Sequence, residues 1–340
     1  MTTAGSGWVL GVDSGGSGLR VALARPEDAT RPGRRLEAAS GAPVRTGPAG
    51  LDAAHLLEQL LPAVRALLRR GGGPQQITTV CVGAAGMDTL GGRLRAELPA
   101  ALASELGVRR LVLAADAVTG YAGALGERPG VVVAMGTGLI ALGTDLNHWR
   151  RADGWGHLLG DCGSGAWIGR AGLEAALRAH DGRDGGSRPL LERAEALFGP
   201  VGGLPAQLYP RTDRPAVLAS FAPEVARCAT GAEDPVATGI LREAARETAR
   251  TAAAVHPAVP GAALALTGGL LQLGEVLLTP LSAELAARLP QTDVVPAAGD
   301  PLDGALFIAA RLATGTLRLP SDPTLLALGR PDRDAGPSTR

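Results

Sequence analysis

The chain has 340 residues, and its 33 basic and 33 acidic side chains give a formal net charge of zero at pH 7. That balance argues against a nucleic-acid-binding protein and against a binder of acidic membranes, because both need an excess of positive charge. The 33 basic residues are all arginines, which excludes mechanisms that need a Schiff-base lysine or a Walker-type lysine. The length and an apolar fraction of 46% predict two domains or one large two-lobed enzyme.

The three cysteines, Cys81, Cys162 and Cys228, are far apart in the sequence and form no CxxC pair. The odd count, together with an N-terminus that lacks the pattern of a signal peptide, predicts a reducing, cytoplasmic location. No apolar run reaches the ~18 residues that a membrane helix needs, so we expect no membrane-bound part.

The first third of the chain alternates apolar strands with amphipathic helices. Trp8–Val12 and Leu19–Leu23 predict two strands that are joined by a tight Gly/Ser turn into a hairpin. The pattern then predicts, in chain order, a helix at 51–68, a strand at 77–82, a helix at 94–106 and a strand at 111–115.

A second hairpin begins at Gly130–Met135 and continues, after a Gly-Thr-Gly turn, through Leu139–Leu142. Because this segment repeats the arrangement of the first hairpin, the sequence predicts two related lobes. Further elements follow in chain order: helices at 167–180, 189–198, 215–229 and 234–255, a strand at 262–266 and a helix at 301–313.

The stretch Asp153–Gly169, with the sequence DGWGHLLGDCGSGAWIG, is the most informative segment of the chain. Its glycines allow the backbone to approach a ligand closely and to adopt positive φ angles. Asp161 supplies a charge-assisted acceptor for hydroxyl groups. We therefore favour a site for a small polar ligand over a glycine-rich turn that binds nothing.

Several other short segments occur in a fixed order along the chain. They are GVDSGGS at 11–17, GAAG at 83–86, ADA at 115–117 followed by GTG at 136–138, TGG at 267–269 and DGA at 303–305. Together with the glycine-rich stretch, this ordered set resembles the N-acetylglucosamine kinase branch of the BadF/BadG/BcrA/BcrD ATPase family. That family belongs to the sugar kinase, Hsp70 and actin superfamily, and the resemblance extends from about residue 8 to about residue 312.

The resemblance implies an α/β fold with two ribonuclease H-like lobes, of the actin-like ATPase type, around a nucleotide-binding cleft. We place the N-terminal lobe at 1–117 and the C-terminal lobe at 118–318, with the final helix at about 301–313 expected to pack back on the first lobe. Residues 319–340 are rich in Pro, Asp, Arg and Gly and are predicted to form a flexible tail.

Asp13 lies where the first predicted strand meets the Gly/Ser turn. The backbone N–H groups of such a turn form a concave anion site, and the hydroxyls of Ser14 and Ser17 can add donors. A carboxylate beside phosphates is explained if a Mg²⁺ ion lies between them. A plain hairpin turn is the alternative, since Asp, Ser and Gly are good turn residues.

The resemblance implies that this turn is the first phosphate motif, that ATP and Mg²⁺ are the cofactors, and that Asp13 lies on the metal side. The nucleotide-binding residues it implies are Ser14, Gly15, Gly16 and Ser17 in the first turn, Gly136, Thr137 and Gly138 in the second, and Gly268 and Gly269 beside adenosine.

Asp116 follows an apolar strand at its carboxyl end, the edge at which ligands of open α/β sheets bind. An aspartate there can accept the proton of an attacking hydroxyl, or it can serve only as a helix N-cap. The resemblance implies the first role, that of the catalytic base.

The substrate-binding residues implied by the resemblance are Gly154, Trp155, Asp161, Cys162 and, at a position where the family has Asn, Thr46. The family pattern breaks at three of the substrate-facing positions. Leu139 and Ile140 stand where these kinases have Ser and Asn, and Cys162 stands where they have Glu. We interpret this as a retained ATP site beside an altered sugar pocket.

The function that we expect is ATP-dependent phosphorylation of a hydroxyl of an amino sugar, N-acetylglucosamine or glucosamine, with a small-molecule sugar as the partner and a homodimer left open. An activator-type ATPase of the same family would hold an iron–sulfur cluster through cysteines, which are far apart here. A non-catalytic nucleotide or sugar sensor would explain Leu139, Ile140 and Cys162, but it would not need Asp13 and Asp116.

Overall fold

The computed structural model describes residues 7–15, 18–31, 33–41, 43–47, 50–72, 76–87, 91–230 and 233–329. The chain divides into two compact units. The first comprises Met1–Arg128, Leu146–Trp149 and Ala297–Arg340, and the second comprises Pro129–Asp145 and Arg150–Pro296.

The strands of the described residues are β1 (Trp8–Gly15), β2 (Gly18–Ala24), β3 (Leu36–Ser40), β4 (Thr46–Gly47), β5 (Gly50–Leu51), β6 (Ile77–Ala84), β7 (Arg110–Ala115), β8 (Gly130–Met135), β9 (Leu139–Thr144), β10 (Trp149–Asp153), β11 (Ala263–Thr267), β12 (Asp293–Val295) and β13 (Leu326–Gly329).

The α-helices of the described residues are α1 (Ala53–Arg70), α2 (Gly92–Leu106), α3 (Asp116–Leu125), α4 (Gly165–His180), α5 (Arg188–Phe198), α6 (Leu204–Leu208), α7 (Arg214–Ala219), α8 (Ala222–Ala229), α9 (Pro235–Ala254), α10 (Glu275–Arg288) and α11 (Pro301–Thr314). In the described residues, short 3₁₀ helices cover Pro26–Asp28, Val201–Gly203 and Gly269–Leu273. None of the helices in the described part of the chain has the length and apolarity needed to cross a bilayer.

The first unit is built on a six-stranded sheet in the order β13-β7-β6-β1-β2-β3. Strands β1, β6 and β7 run parallel, whereas β2, β3 and β13 join antiparallel. The final helix α11 packs on β1 and α3 at very close range. A Cβ atom at Gly11 would lie 2.7 Å from the Leu306 nitrogen, and one at Gly304 would lie 1.8 Å from the Thr119 carbonyl oxygen. Glycine at these two positions therefore lets α11 belong to the first unit.

The second unit has a five-stranded sheet in the order β10-β9-β8-β11-β12. Strand β11 runs parallel to β8 and β12, and β9 returns antiparallel beside β8. Helices α4, α8, α9 and α10 bury apolar side chains in one core, including Ile168, Val225, Leu241 and Leu281. Both units thus have the mixed α/β architecture that the sequence predicts.

Several boundaries differ from those predicted. The first unit continues to Arg128 rather than to residue 117, because α3 packs on α11 and β1. The predicted helix at 215–229 is two helices, α7 and α8, since Pro223 lacks an N–H group and begins a new helix.

The prediction of a flexible tail was wrong for residues 319–329. Leu326–Gly329 forms β13, which pairs antiparallel with β7. The Ala115 N–H also donates to the Leu325 carbonyl at 2.9 Å. The prediction failed because the polar composition of residues 319–340 gave no sign of this short edge strand. Residues 330–340 lie outside the described residues.

Candidate functional site

The first hairpin places an ion pair beside its turn. Asp13 on β1 and Arg20 on β2 are cross-strand partners. Asp13 Oδ2 accepts from Arg20 Nη2 at 2.6 Å and from Nε at 3.0 Å. Burial raises the pKa of the Asp13 carboxyl, because desolvation outweighs the opposing attraction of the guanidinium. Asp13 is therefore a partly buried acid whose charge is balanced by Arg20.

Arg20 also connects the hairpin to the start of the final helix. Its Nη1 lies 2.6 Å from Asp300 Oδ2. Asp300 is the N-cap of α11 and forms a capping box with Asp303, in which each side chain accepts from the other residue's backbone N–H at 3.0 and 2.8 Å. Arg35 next to β3 binds Asp303 in turn. We call Asp13, Arg20, Asp300, Asp303 and Arg35 the first-unit charge network.

A nucleotide-borne metal fits this hairpin better than a resident one. The described residues contain no group of three or more His, Cys, Asp or Glu side chains able to hold a metal ion. Mg²⁺ commonly keeps several waters and takes one or two carboxylates together with substrate phosphates. The second oxygen of Asp13 fits that role. Ser14 is buried beside it, whereas Gly16 and Ser17 lie outside the described residues.

Asp116 stands at the same sheet edge as Asp13. In the register of the sheet, Ala84 on β6 pairs with Ser14 on one side and with Ala115 on the other, so a single strand separates the two aspartates. Asp116 is the first residue of α3, and its Oδ1 accepts from the Ala117 N–H at 2.8 Å. The structure thus places the Asp116 carboxylate at the end of a strand, as the sequence predicts. The role of Asp116 as the catalytic base stays a prediction.

Gly83 explains how α3 begins so close to the sheet. A Cβ atom there would lie 2.6 Å from Thr119 Cγ2, a side chain that is fully buried. The Thr119 hydroxyl donates to the Asp116 carbonyl at 3.0 Å. The glycine of the GAAG segment therefore sets the position of the helix turn that carries Asp116.

The turn between β8 and β9 rests on the start of helix α4. The Gly136 N–H donates to the Gly138 carbonyl at 2.9 Å. The Gly136 carbonyl accepts from the Gly165 N–H at 2.9 Å, and the Thr137 carbonyl accepts from the Ala166 N–H at 3.0 Å. These bonds use carbonyls of the turn to satisfy N–H groups at a helix start, which fixes the turn as a rigid unit.

Asp161 fastens this turn from the glycine-rich loop, which we define as Gly154–Ser164. Its carboxylate accepts from the backbone N–H groups of Leu139 and Gly156. A Cβ atom at Gly138 would lie 2.8 Å from Asp161 Oδ2. Burial raises the pKa of Asp161, and the two N–H donors partly oppose that shift. The predicted sugar-binding acid and the predicted phosphate turn thus touch each other.

The remaining predicted substrate residues differ in exposure. Gly154 has φ +75° and donates to the Leu139 carbonyl at 2.9 Å. Trp155 is 64% exposed, with the Arg151 guanidinium 4.6 Å from its ring centroid. Cys162 is partly buried, and burial raises the pKa of its thiol, helped by the charge of Asp153.

Thr46 lies in the first unit, where its backbone pairs with Leu51 in the two-stranded β4–β5 sheet. Its side chain is outside the described residues. The structure therefore brings together Gly154, Asp161 and Cys162 in the second unit, while the part assigned to Thr46 stays a prediction.

Gly268 and Gly269 lie between β11 and a 3₁₀ helix. Gly268 has φ +101°, and a Cβ atom there would lie 2.3 Å from the Met135 carbonyl oxygen, so its glycine has a packing reason. No atom of the described residues lies within 4 Å of a Cβ built on Gly269. Gly269 is therefore the better candidate for close approach of a ligand.

Sequence reasoning missed Arg20, Asp153 and Asp300. The sequence could have revealed Arg20 as the partner of Asp13, because the register of the hairpin pairs the two residues. Asp300 had none, because it is 280 residues from Arg20 in the chain. Asp153 was visible as the residue before the glycine-rich loop, but its partners are backbone N–H groups.

Comparison with known proteins confirms the resemblance stated from the sequence motifs. The model of the BadF/BadG/BcrA/BcrD ATPase family matches residues 10–306. An N-acetylmuramic acid/N-acetylglucosamine kinase of Clostridium acetobutylicum is 26% identical over 310 residues, which are 89% of this chain and 98% of that relative.

Solved structures agree with this assignment. A Chromobacterium violaceum protein proposed to be an N-acetylglucosamine kinase is 27% identical, with a TM-score of 0.63 over 88% of this chain and 98% of that one. A ROK family glucokinase from Streptomyces griseus, solved with glucose and AMPPNP, has a TM-score of 0.51 at 20% identity over 91% of this chain and 100% of that one. These likenesses confirm the fold class predicted from the sequence.

Proposed function

We propose that this chain, which belongs to the BadF/BadG/BcrA/BcrD ATPase family, is an ATP-dependent kinase that phosphorylates a hydroxyl of an amino sugar. N-acetylglucosamine is the first substrate to test. The curated relative is named for N-acetylmuramic acid as well as N-acetylglucosamine, so both sugars belong in the panel with glucosamine. A cytoplasmic location and a homodimer stay predictions of the sequence.

One observation carries the proposal: Asp13 and Asp116 lie at the same edge of the first sheet, with only strand β6 between their strands. Phosphoryl transfer to an alcohol needs a carboxylate that accepts the hydroxyl proton and a site for the metal-bound phosphates. Asp116 fits the first need, since its carboxylate stands at a strand end. Asp13 fits the second, with Arg20 holding one of its oxygens.

Mg²⁺ bound to ATP would neutralise phosphate charge and orient the transferred group. The residues of this chain that we assign to the phosphates are Ser14, Gly15 and the Gly136–Gly138 turn. The Asp161 carboxylate would accept a hydrogen bond from a sugar hydroxyl, because a carboxylate can accept more hydrogen bonds than the two that its backbone donors make. Asp116 would hold the proton that leaves the attacking hydroxyl.

The residues that depart from the family pattern, Leu139, Ile140 and Cys162, have different surroundings in the folded chain. Leu139 is buried in the second-unit core, and its N–H still serves Asp161. Ile140 contacts Gly154, since a Cβ atom on that glycine would lie 2.8 Å from Ile140 Cδ1. We propose that Ile140 and Cys162 change which sugar is preferred, while phosphoryl transfer itself is retained.

The test is an ADP-release assay with ATP and Mg²⁺ against N-acetylglucosamine, N-acetylmuramic acid, glucosamine, N-acetylmannosamine and glucose. We expect sugar-dependent ADP release with at least one 2-amino or 2-acetamido sugar, and phosphorus NMR then identifies the esterified hydroxyl. ATP turnover that no sugar accelerates would favour an activator-type ATPase. Binding of nucleotide and sugar without any turnover would favour a sensor.

A further inference from the structure

The guanidinium of Arg20 binds two aspartates that are far apart in the chain. Its Nε and Nη2 both donate to Asp13 Oδ2, at 3.0 and 2.6 Å, while its Nη1 donates to Asp300 Oδ2 at 2.6 Å. A guanidinium presents its N–H donors in a rigid planar fork, so a partner on one nitrogen fixes the direction of the others. Asp300 therefore helps to set how Arg20 meets Asp13.

The two carboxylate oxygens of Asp300 have different partners. Oδ1 accepts from the Asp303 N–H at 3.0 Å and so caps the start of α11. Oδ2 binds Arg20. A substitution can therefore remove the contact with Arg20 and keep the cap of the helix.

The start of α11 is packed directly on α3, the helix that begins at Asp116. A Cβ atom at Gly123 in α3 would lie 2.0 Å from the Asp300 carbonyl oxygen. Contacts this close leave the backbone of Asp300 little freedom to move against α3, because packed interiors deform only at a cost. Asp300 thus connects the helix of the proposed base to the arginine that holds Asp13, and all of these residues belong to the first unit.

The way in which Arg20 binds Asp13 leaves one carboxylate oxygen out of the pair. Arginine frequently binds a carboxylate through two parallel hydrogen bonds, one to each oxygen. Here Nε and Nη2 share Oδ2 instead, so Oδ1 is not part of the ion pair. A guanidinium released from Asp300 could turn and bind both oxygens of Asp13, and it would then compete with a metal ion for that carboxylate.

We propose that Asp300 is a positioning residue of the nucleotide site. By holding Nη1 of Arg20, it keeps the guanidinium on one oxygen of Asp13 and leaves the other oxygen to the metal-bound nucleotide. This inference rests on the proposed kinase function, in which Asp13 lies on the metal side of the phosphates. Asp300 acts through Arg20 in this role and touches neither metal nor phosphate itself.

Asp300→Asn separates the two contacts of this side chain. Asparagine is as good an N-cap as aspartate, so its oxygen can keep the Asp303 N–H, whereas its NH₂ group cannot accept from Arg20. Calorimetry with AMPPNP should show a Kd that rises about tenfold in the presence of Mg²⁺, as expected for a lost hydrogen bond between charged groups. In EDTA the Kd should change by less than about twofold, because Asp13 then has no metal to hold.

Asp300→Ala removes both contacts, so it should raise the Kd as much as Asp300→Asn does and should also lower the Tm through loss of the cap. If Asp300 only capped the helix, nucleotide binding would weaken in Asp300→Ala alone. Asp28→Asn is the matched control, because Asp28 is another aspartate of the first unit that pairs with an arginine, Arg31. It should leave the Kd with Mg²⁺ unchanged.

Arg20→Gln completes a double-mutant cycle with Asp300→Asn. Because Asp300 acts through Arg20, adding Asp300→Asn to Arg20→Gln should change the Kd by less than about twofold. Additive effects would overturn the inference, and so would an Asp300→Asn variant that binds as the wild type does or that loses equally in Mg²⁺ and EDTA.

The calorimetry needs no sugar, so it separates this inference from the proposed function. If the nucleotide binds but no sugar is phosphorylated, the proposed function fails and the cycle still decides the role of Asp300. A wild type whose nucleotide binding does not depend on Mg²⁺ would overturn the inference even if a sugar is phosphorylated.

Discussion

The two hairpins of this protein are built alike but obtain their charge differently. In the first, Asp13 lies on the strand and faces Arg20 on the next strand. In the second, the corresponding pair two positions before the turn is Val133 and Ala141, both fully buried and apolar. Its carboxylate comes instead from Asp161 in a distant loop and is held by backbone N–H groups.

This difference shows two ways to keep a carboxylate beside a turn that is predicted to bind phosphate. The guanidinium of Arg20 balances the charge of Asp13. Salt can screen this ion pair, and a substitution of the arginine can remove it. Neutral N–H donors position Asp161 without neutralising it, so its charge stays available to a ligand. The comparison predicts that changes at the first hairpin act through charge, whereas changes at the second act through the position of the turn.

The largest effect is expected at Asp116, the strand-end acid of the first unit. Asp116→Asn should lower kcat by about 10²–10⁴-fold, because an amide cannot accept the hydroxyl proton, while ATP binding survives. Steady-state ADP release and calorimetry with a non-hydrolysable ATP analogue measure the two quantities. Asp52→Asn is the control, since Asp52 is also a helix-start carboxylate that accepts from a backbone N–H. Equal losses in both variants would reduce Asp116 to a helix cap.

Two glycines of the second unit, one in the second hairpin and one outside the site, test how sensitive sugar use is to the position of the turn. Gly138→Ala should lower kcat/KM for the sugar by about 10²-fold, because its methyl group would displace the Asp161 carboxylate and small misplacements are costly. Gly239→Ala in helix α9 should change it little, as no atom of the described residues lies within 4 Å of a Cβ built there. Similar behaviour of the two variants would contradict the anchoring of the turn by Asp161.

Charge dependence of the first hairpin is tested by Arg20→Gln. Loss of this partner should lower the free energy of unfolding at pH 7 by about 1–2 kcal/mol, a charged hydrogen-bond value reduced for solvent exposure. Urea unfolding measures it, and Arg31→Gln, whose pair with Asp28 is exposed, should cost less than about 0.5 kcal/mol.

The same variant gives a pH test. Burial raises the folded-state pKa of Asp13 above its unfolded value, so the stabilisation linked to this shift is present at low pH and is lost as the pH rises through the folded-state pKa. Removing Arg20 should therefore cost most when Asp13 is ionised, and the gap between variant and wild type should narrow as the pH falls. A gap that does not change with pH would show that Arg20 contributes only packing.

The smallest expected effect is the fall of kcat/KM for the sugar at low pH. Burial raises the pKa of Asp161 above its ordinary value of 3.8, and a protonated carboxyl is a weaker acceptor for a sugar hydroxyl. Sugar kcat/KM should therefore begin to fall at a pH above that of an ordinary aspartate, with a slope of one proton. A rate that is flat down to pH 4 would separate Asp161 from substrate binding.

Local sequence was sufficient for the hairpins and for the positions of Asp13, Asp116 and Asp161, because adjacent residues determine glycine turns and strand ends; the roles of these acids stay predictions. It missed β3, whose Leu-Glu-Ala-Ala-Ser sequence lacks β-branched residues, and α10, which contains Pro280. It also missed the partners of the acids. Arg20 needs a cross-strand register and Asp153 needs a folded loop, and neither is a property of neighbouring residues.

The return of α11 and β13 to the first unit has a consequence for synthesis of the chain. The strands β1, β6 and β7 are made before the second unit, but the helix and edge strand that complete their unit are made after it. The second unit has all of its segments by Pro296. Because domains fold during translation once their sequence is available, we expect the second unit to fold first, while strands β1, β6 and β7 complete their unit only after α11 and β13 have been made.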